Sequence, residues 1–131
     1  MEDVRRRPRA AAWWLGALAY AAVIFYFSSR PAIGLPRWWF MRYDKVLHAG
    51  EYFWLGALVA VALRASGLGL GRACVLAVVV ALGYAVTDEY HQTFVPGRSG
   101  NDLGDLTADA VGATLGAGAL GLYARRRARA A

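Results

Sequence analysis

Apolar residues in this chain come in long unbroken runs, and the polar residues collect in the gaps between them. A half-buried strand would alternate with a period of two, so continuous runs point to helices. Four runs approach the ~20 residues that a helix needs to cross the hydrocarbon core of a bilayer. They lie at about 10–28, 45–64, 72–94 and 103–124. Asp44 and Lys45 open the second run and Arg64 closes it, with Gly67, Gly69 and Gly71 marking the turn that follows. The third stops before Pro96, where a helix is expected to end. Pro31 and Pro36 argue against a helix between the first two runs. The Trp38, Trp39 and Phe40 that follow them suit an interfacial belt at the headgroup level, or contact with an amphiphilic ligand. The pattern predicts an all-α integral membrane four-helix bundle forming one domain over residues 1–131.

Composition agrees with a membrane chain: hydrophobic residues make up 58% and charged residues 18%. The first run resembles a signal peptide, but Ala10 to Phe27 is 18 uncharged residues, longer than a cleavable core of about 7–15. An uncleaved span is expected. The net charge of +6 comes largely from arginines at the two tails. Tails that flank apolar runs are topology signals, so no nucleic acid is expected as a partner. With the N-terminus inside, the tails and the Arg64/Arg72 turn hold ten of the fifteen basic residues. That balance predicts both termini in the cytoplasm. Most acids belong to the other half, which predicts a polar site facing outward. The lone Cys74 can form no internal disulfide.

Helical spacing groups the polar residues. Asp44, His48 and Glu51 share one face of the second helix, continued by Tyr52 and Leu55. Tyr84, Asp88, His91 and Gln92 share a face of the third, with Glu89 beside them. On the fourth, Asp105, Asp109, Gly112 and Gly116 form one stripe, whose glycines suit close packing inside the chain or a homo-oligomer contact equally. Three helix ends are thus expected to converge, with Lys45 and Arg98 at the mouth. Asp44, Lys45, His48, Tyr52, Asp88, Glu89, His91, Gln92, Arg98, Asp105 and Asp109 are the expected ligand-binding residues.

Ionisable groups at membrane depth are costly and usually functional. The bland alternative is a structural joint in which Arg98 pairs with Asp88 or Asp105, and Lys45 with Glu89. Among chemistries, Asp88, Glu89, Asp105 and Asp109 could hold a divalent cation through hard oxygens. Two histidines with acids could hold zinc, although no established zinc spacing is present. Arg98 and Lys45 could instead grip a phosphate. His48 or His91, beside Asp88 or Glu89, could act as general base. No serine or cysteine nucleophile stands out.

At these residues the chain resembles the VanZ-like family of small bacterial membrane proteins. The resemblance begins at Ser28-Ser29 and Pro31 and continues through Asp44-Lys45, His48, Tyr52 and Leu55-Gly56. It peaks at Asp88-Glu89, His91-Gln92, Phe94 and Pro96-Gly97-Arg98, and ends with Asp105, Asp109 and Gly112. The family often has Asn where Asp109 stands, and Asp102 has no place in its pattern. The resemblance implies a multi-pass protein of the bacterial cytoplasmic membrane. The family's namesake is associated with low-level resistance to the glycopeptide teicoplanin. Three functions are open: a binder of an amphiphilic or phosphate-bearing envelope ligand, such as a lipid-linked precursor or lipoglycopeptide; a metal-assisted hydrolase or transferase on such a precursor; or a structural bundle or partner protein.

Overall fold

The structure of the chain, a computed structural model, describes residues 2–31 and 37–130. Four helices account for nearly all of them: α1 (Glu2–Ser28), α2 (Arg37–Ala65), α3 (Leu70–Gln92) and α4 (Leu103–Ala130). No strand occurs among the described residues. Stretches of three helices are long and apolar enough to cross a membrane, Ala10–Ser28, Tyr43–Ala65 and Leu70–Gln92. The fourth expected span, on α4, is not among them. Asp105, Asp109 and a series of glycines dilute its apolar content.

Helix ends differ from the expectation where charge or proline marked them. The arginine-bearing tails continue α1 and α4 instead of ending them, since Arg and Ala are both good helix formers. The second helix starts at Arg37, so Trp38 belongs to a helix and not to a loop. No proline lies between Arg37 and Ala65 to interrupt it. Pro36 lies outside the described residues, as do the side chains of Trp39 and Phe40.

The helices run alternately up and down. At one end Trp14, midway along α1, donates to Ser66 Oγ just after α2 (3.1 Å), and Cys74 of α3 meets the Ala117 carbonyl of α4. At the other end Ser28 of α1 meets Asp88 of α3, and His48 of α2 meets Asp109 of α4. The pairs α1/α3 and α2/α4 are therefore each parallel.

The interior is built of small residues. On α3, Ala73, Ala77, Ala81 and Ala85 are fully buried at every fourth position, while Val75, Leu76, Val79, Val80 and Val86 point outward. This inverts a soluble helix and suits association in lipid, where close backbone contact replaces a hydrophobic driving force. The most extensive pairing, α2 with α4, takes this furthest. A Cβ at Gly112 would overlap the Ala49 carbonyl, one at Gly116 the Phe53 carbonyl, and one at Gly56 the backbone of Ala113. Gly112 and Gly116, considered for an oligomer contact, pack on α2 of the same chain. Below the polar end, the buried Ala stripe of α3 leads upward into polar residues and continues as Asp88, Glu89 and Gln92.

Replacing Gly116 by alanine forces α2 and α4 apart, and is expected to destabilise the protein by about 1–3 kcal/mol. Gly118→Ala, at a position where a Cβ meets nothing, should be neutral or stabilising by up to about 1 kcal/mol. Thermal melts of the detergent-solubilised variants check this, and equal effects at the two positions would exclude the close approach.

Candidate functional site

The connection from α3 to α4 is organised by its own backbone chemistry. Arg98 N–H bonds to the Val95 carbonyl (3.1 Å), closing a turn with Pro96 and Gly97 at its centre. Gly97 has φ 78°, which proline followed by glycine satisfies in a type II turn. Gly100 then lies so close to the last turn of α3 that a side chain would strike its backbone. Asp102, the acid with no place in the motif, is the N-cap of α4. Its Oδ1 accepts the Gly104 N–H (2.7 Å), and its own N–H donates to Glu89 Oε2 (2.9 Å). This capping bond and then the neighbouring Lys45 hold the Asp102 carboxyl below the usual carboxylate range. Glu89 thereby ties α3 to the start of α4.

Between α2 and α4 lies an ionic cluster. Lys45 Nζ bonds Asp105 Oδ1 and lies 3.2 Å from Asp102 Oδ2 and 3.7 Å from Asp44 Oδ2. His48, 7% exposed, gives Nδ1 to Asp109 Oδ1 at 3.0 Å. An ionised carboxylate only accepts, so this bond assigns the hydrogen to Nδ1. Nε2 then faces Asp105 Oδ1 at 3.9 Å and Asp44 Oδ1 at 4.0 Å, too far for hydrogen bonds. Among the described residues, Asp44, His48 and Asp105 form a group whose ligand atoms all lie within 4.8 Å of one another.

Between α1 and α3 no cation among the described residues answers the carboxylate; neutral donors do. Ser28 Oγ bonds Asp88 Oδ1 (2.6 Å), and Gln92 Nε2 donates to Asp88 Oδ2 (3.1 Å). Both oxygens of Asp88 are thus satisfied. Ser29 Oγ lies 2.6 Å from the Phe25 carbonyl and 3.0 Å from His91 Nε2. A hydroxyl has one hydrogen, and the carbonyl takes it, so His91 must be the donor to Ser29. The pair joins helices and does not have the polarity of a nucleophile with its base. Arg98 donates from Nε to the Arg30 carbonyl (3.1 Å) and from Nη2 to the Phe27 carbonyl (2.9 Å). It closes the end of α1, where unpaired carbonyls favour a cation.

Asp44, Lys45, His48, Asp105 and Asp109 therefore meet as the helical spacing suggests, with Tyr52 and Glu89 buried nearby. Asp88, Gln92 and His91 gather on the α1 side. The expected pairs Arg98–Asp88, Arg98–Asp105 and Lys45–Glu89 give way to other partners, because the Pro96–Gly97 turn directs Arg98 toward α1 and α4 supplies Lys45 with closer acids. Ser28 and Ser29 were absent from the expected site although they head the family motif, because serines after an apolar run read as loop. Three buried atoms lack a hydrogen-bond partner among the described residues: Tyr52 Oη, Glu89 Oε1 and Asp109 Oδ2. Each such group costs about 1–3 kcal/mol when left unpaired.

A family model described as VanZ/LLP1 matches residues 13–124. The chain belongs to the VanZ-like family. No curated protein and no solved structure matches it.

Asp102 provides a pH test of the corner. Its folded pKa is depressed, so the stability it contributes is present above the unfolded value and lost as pH falls through the folded one. Asp102→Asn keeps a good N-cap but removes the charge facing Lys45. The wild type is expected to melt higher than Asp102→Asn at pH 6, with the gap beginning to narrow below about pH 4 and closing only as pH falls through the lower folded value. A gap unchanged across that range would contradict the assignment.

Proposed function

We propose that this member of the VanZ-like family is a multi-pass protein of the bacterial cytoplasmic membrane, with both termini cytoplasmic and the polar end facing outward. There it receives the polar head of an amphiphilic envelope ligand, and so alters the response to teicoplanin-type glycopeptides. One observation carries the reading: Tyr52, Glu89 and Asp109, one residue on each of three helices, are buried with polar atoms unpartnered. A joint that only holds helices together pairs its buried polar atoms. The three belong to α2, α3 and α4, which pack against one another, and in this reading they line one polar interior.

The chemistry of that interior favours a guest that supplies hydrogen-bond donors or positive charge. Carboxylates dominate it, and the two cations first expected to grip a phosphate are engaged elsewhere, Lys45 by three acids and Arg98 by the end of α1. An amine, a sugar hydroxyl array or a phosphate accompanied by a metal ion meets the requirement; a bare phosphate does not. His91 lends catalysis little support, since it donates to Ser29.

Asp109→Ala and Glu89→Gln should lower teicoplanin tolerance at unchanged membrane abundance, whereas Arg98→Ala should lower abundance as well, because it releases α1. Immunoblotted membranes and susceptibility assays in a sensitive host measure both. Full tolerance in Asp109→Ala at normal abundance would refute a ligand site. A reporter fused after Arg98 should be active only outside the cell, and a cytoplasmic signal there would reverse the orientation.

A further inference from the structure

The least explained contact in the polar corner is the one His48 Nε2 does not make. His48 is almost wholly buried, and its Nδ1–H is committed to Asp109. Its remaining nitrogen, Nε2, lies 4.0 and 3.9 Å from oxygens of Asp44 and Asp105, and it offers a lone pair to a cation once any hydrogen there has left. Two carboxylates there call for positive charge, which an imidazolium hydrogen, the Lys45 ammonium or a metal ion can supply. The carboxylate–imidazole arrangement on the far side of the ring is the one that orients histidines toward metals, fixing the tautomer and raising the basicity of the ligand nitrogen.

Geometry and donor set both bear on the ion. Metal–ligand bonds of about 2.0–2.2 Å allow two ligand atoms on one ion to stand at most about 4 Å apart. The three atoms are within or just beyond that limit, so a small inward rotation of Asp44, the least buried of the three, completes the site. One imidazole with two carboxylates suits first-row divalent metals better than calcium or magnesium, which prefer oxygen alone.

Lys45 is the internal competitor. Its ammonium bonds Asp105 and lies 3.7 Å from Asp44, so it neutralises the same oxygens that a metal would need. Its side chain is half-exposed on a flexible stem, and Asp102 stands 3.2 Å away at the rim as an alternative partner. Swinging outward, the lysine gives up Asp105 and Asp44 to the ion and keeps Asp102.

We propose that Asp44, His48 and Asp105 bind one first-row divalent metal ion, with Asp109 as the positioning residue and Lys45 as the ammonium the ion displaces. The site is independent of the ligand reading, because the metal alone is the probe. The full chain, purified in detergent, is dialysed against Zn²⁺ or Mn²⁺ and its metal content measured by mass spectrometry. About one equivalent per chain is expected. His48→Gln and Asp105→Asn should weaken binding at least tenfold, and Asp109→Asn about 10–100-fold. Lys45→Met should tighten it about tenfold, an effect that a purely structural cluster would not produce. Lys45→Met removes only a rim ammonium and keeps the test open should the acid variants fail to fold. Absence of stoichiometric Zn²⁺ and Mn²⁺ from both wild type and Lys45→Met overturns the proposal. So does binding undiminished in a folded His48→Gln, or uptake of Ca²⁺ or Mg²⁺ but neither transition metal.

Discussion

The polar end depends on how closely the backbones of α2 and α4 approach. Gly112 and Gly116 lie against the carbonyls of Ala49 and Phe53, and Gly56 against Ala113. That contact sets a parallel register in which residue 49 faces 112 and residue 53 faces 116. One turn further up, the same register brings His48 to Asp109 and Lys45 to Asp105. The glycines therefore do more than permit packing. A larger side chain at either position would spread the helices and lengthen a 3.0 Å hydrogen bond whose donor and acceptor are both buried.

Magnitudes divide the motif into a joint and a site. Interhelical polar bonds at membrane depth contribute about 0.6–2 kcal/mol each. Arg98 on the end of α1, Glu89 on the start of α4, and Ser28 with Gln92 on Asp88 are bonds of that kind, and they tie four helix ends together. Unpaired buried atoms act in the opposite direction by a similar amount. Three of them on α2, α3 and α4 offset much of what the joint contributes. A corner serving the fold alone would be more stable with apolar residues at those positions. That Tyr52 Oη, Glu89 Oε1 and Asp109 Oδ2 are without partners among the described residues is what favours the proposed ligand-receiving role over a joint alone.

Most of the helices and the α2/α4 half of the cluster were legible in the sequence, for physical reasons. Asp44, His48, Asp105 and Asp109 have i,i+4 spacing, which places them on single faces whatever the tertiary packing. What was not legible depended on three dimensions. Arg98 follows a turn whose exit direction no spacing encodes, and it caps a helix 68 residues away in the chain. Asp102 had a local signal, an acid three positions before Asp105 at the opening of an apolar run, and it is read correctly only as a cap. The alanines at 73, 77, 81 and 85 also carried a signal: in lipid the small face is the inner one, and that stripe runs directly into Asp88, Glu89 and Gln92. The span expected at about 45–64 matches Tyr43–Ala65, and the helix extends back to Arg37 because Arg37 to Ala65 contains nothing to break it, although aromatic residues after proline read as a loop.

The helix least suited to lipid is the one that carries the buried acids, and its position resolves the conflict. α4 turns Asp105, Asp109, Gly112, Ala113, Gly116 and Ala117 inward, while Val111, Leu115 and Leu122 face out. Its main neighbours are α2 and α3, which between them supply His48, Lys45 and the Ala stripe. Alone, α4 would carry two carboxylates into apolar surroundings without counter-charge, a cost of several kcal/mol each. Against a preformed α2 it brings them to a histidine and a lysine instead. The same dependence explains why function and fold are hard to separate in this corner: the charges that would receive a guest are also those that let the last helix settle into place.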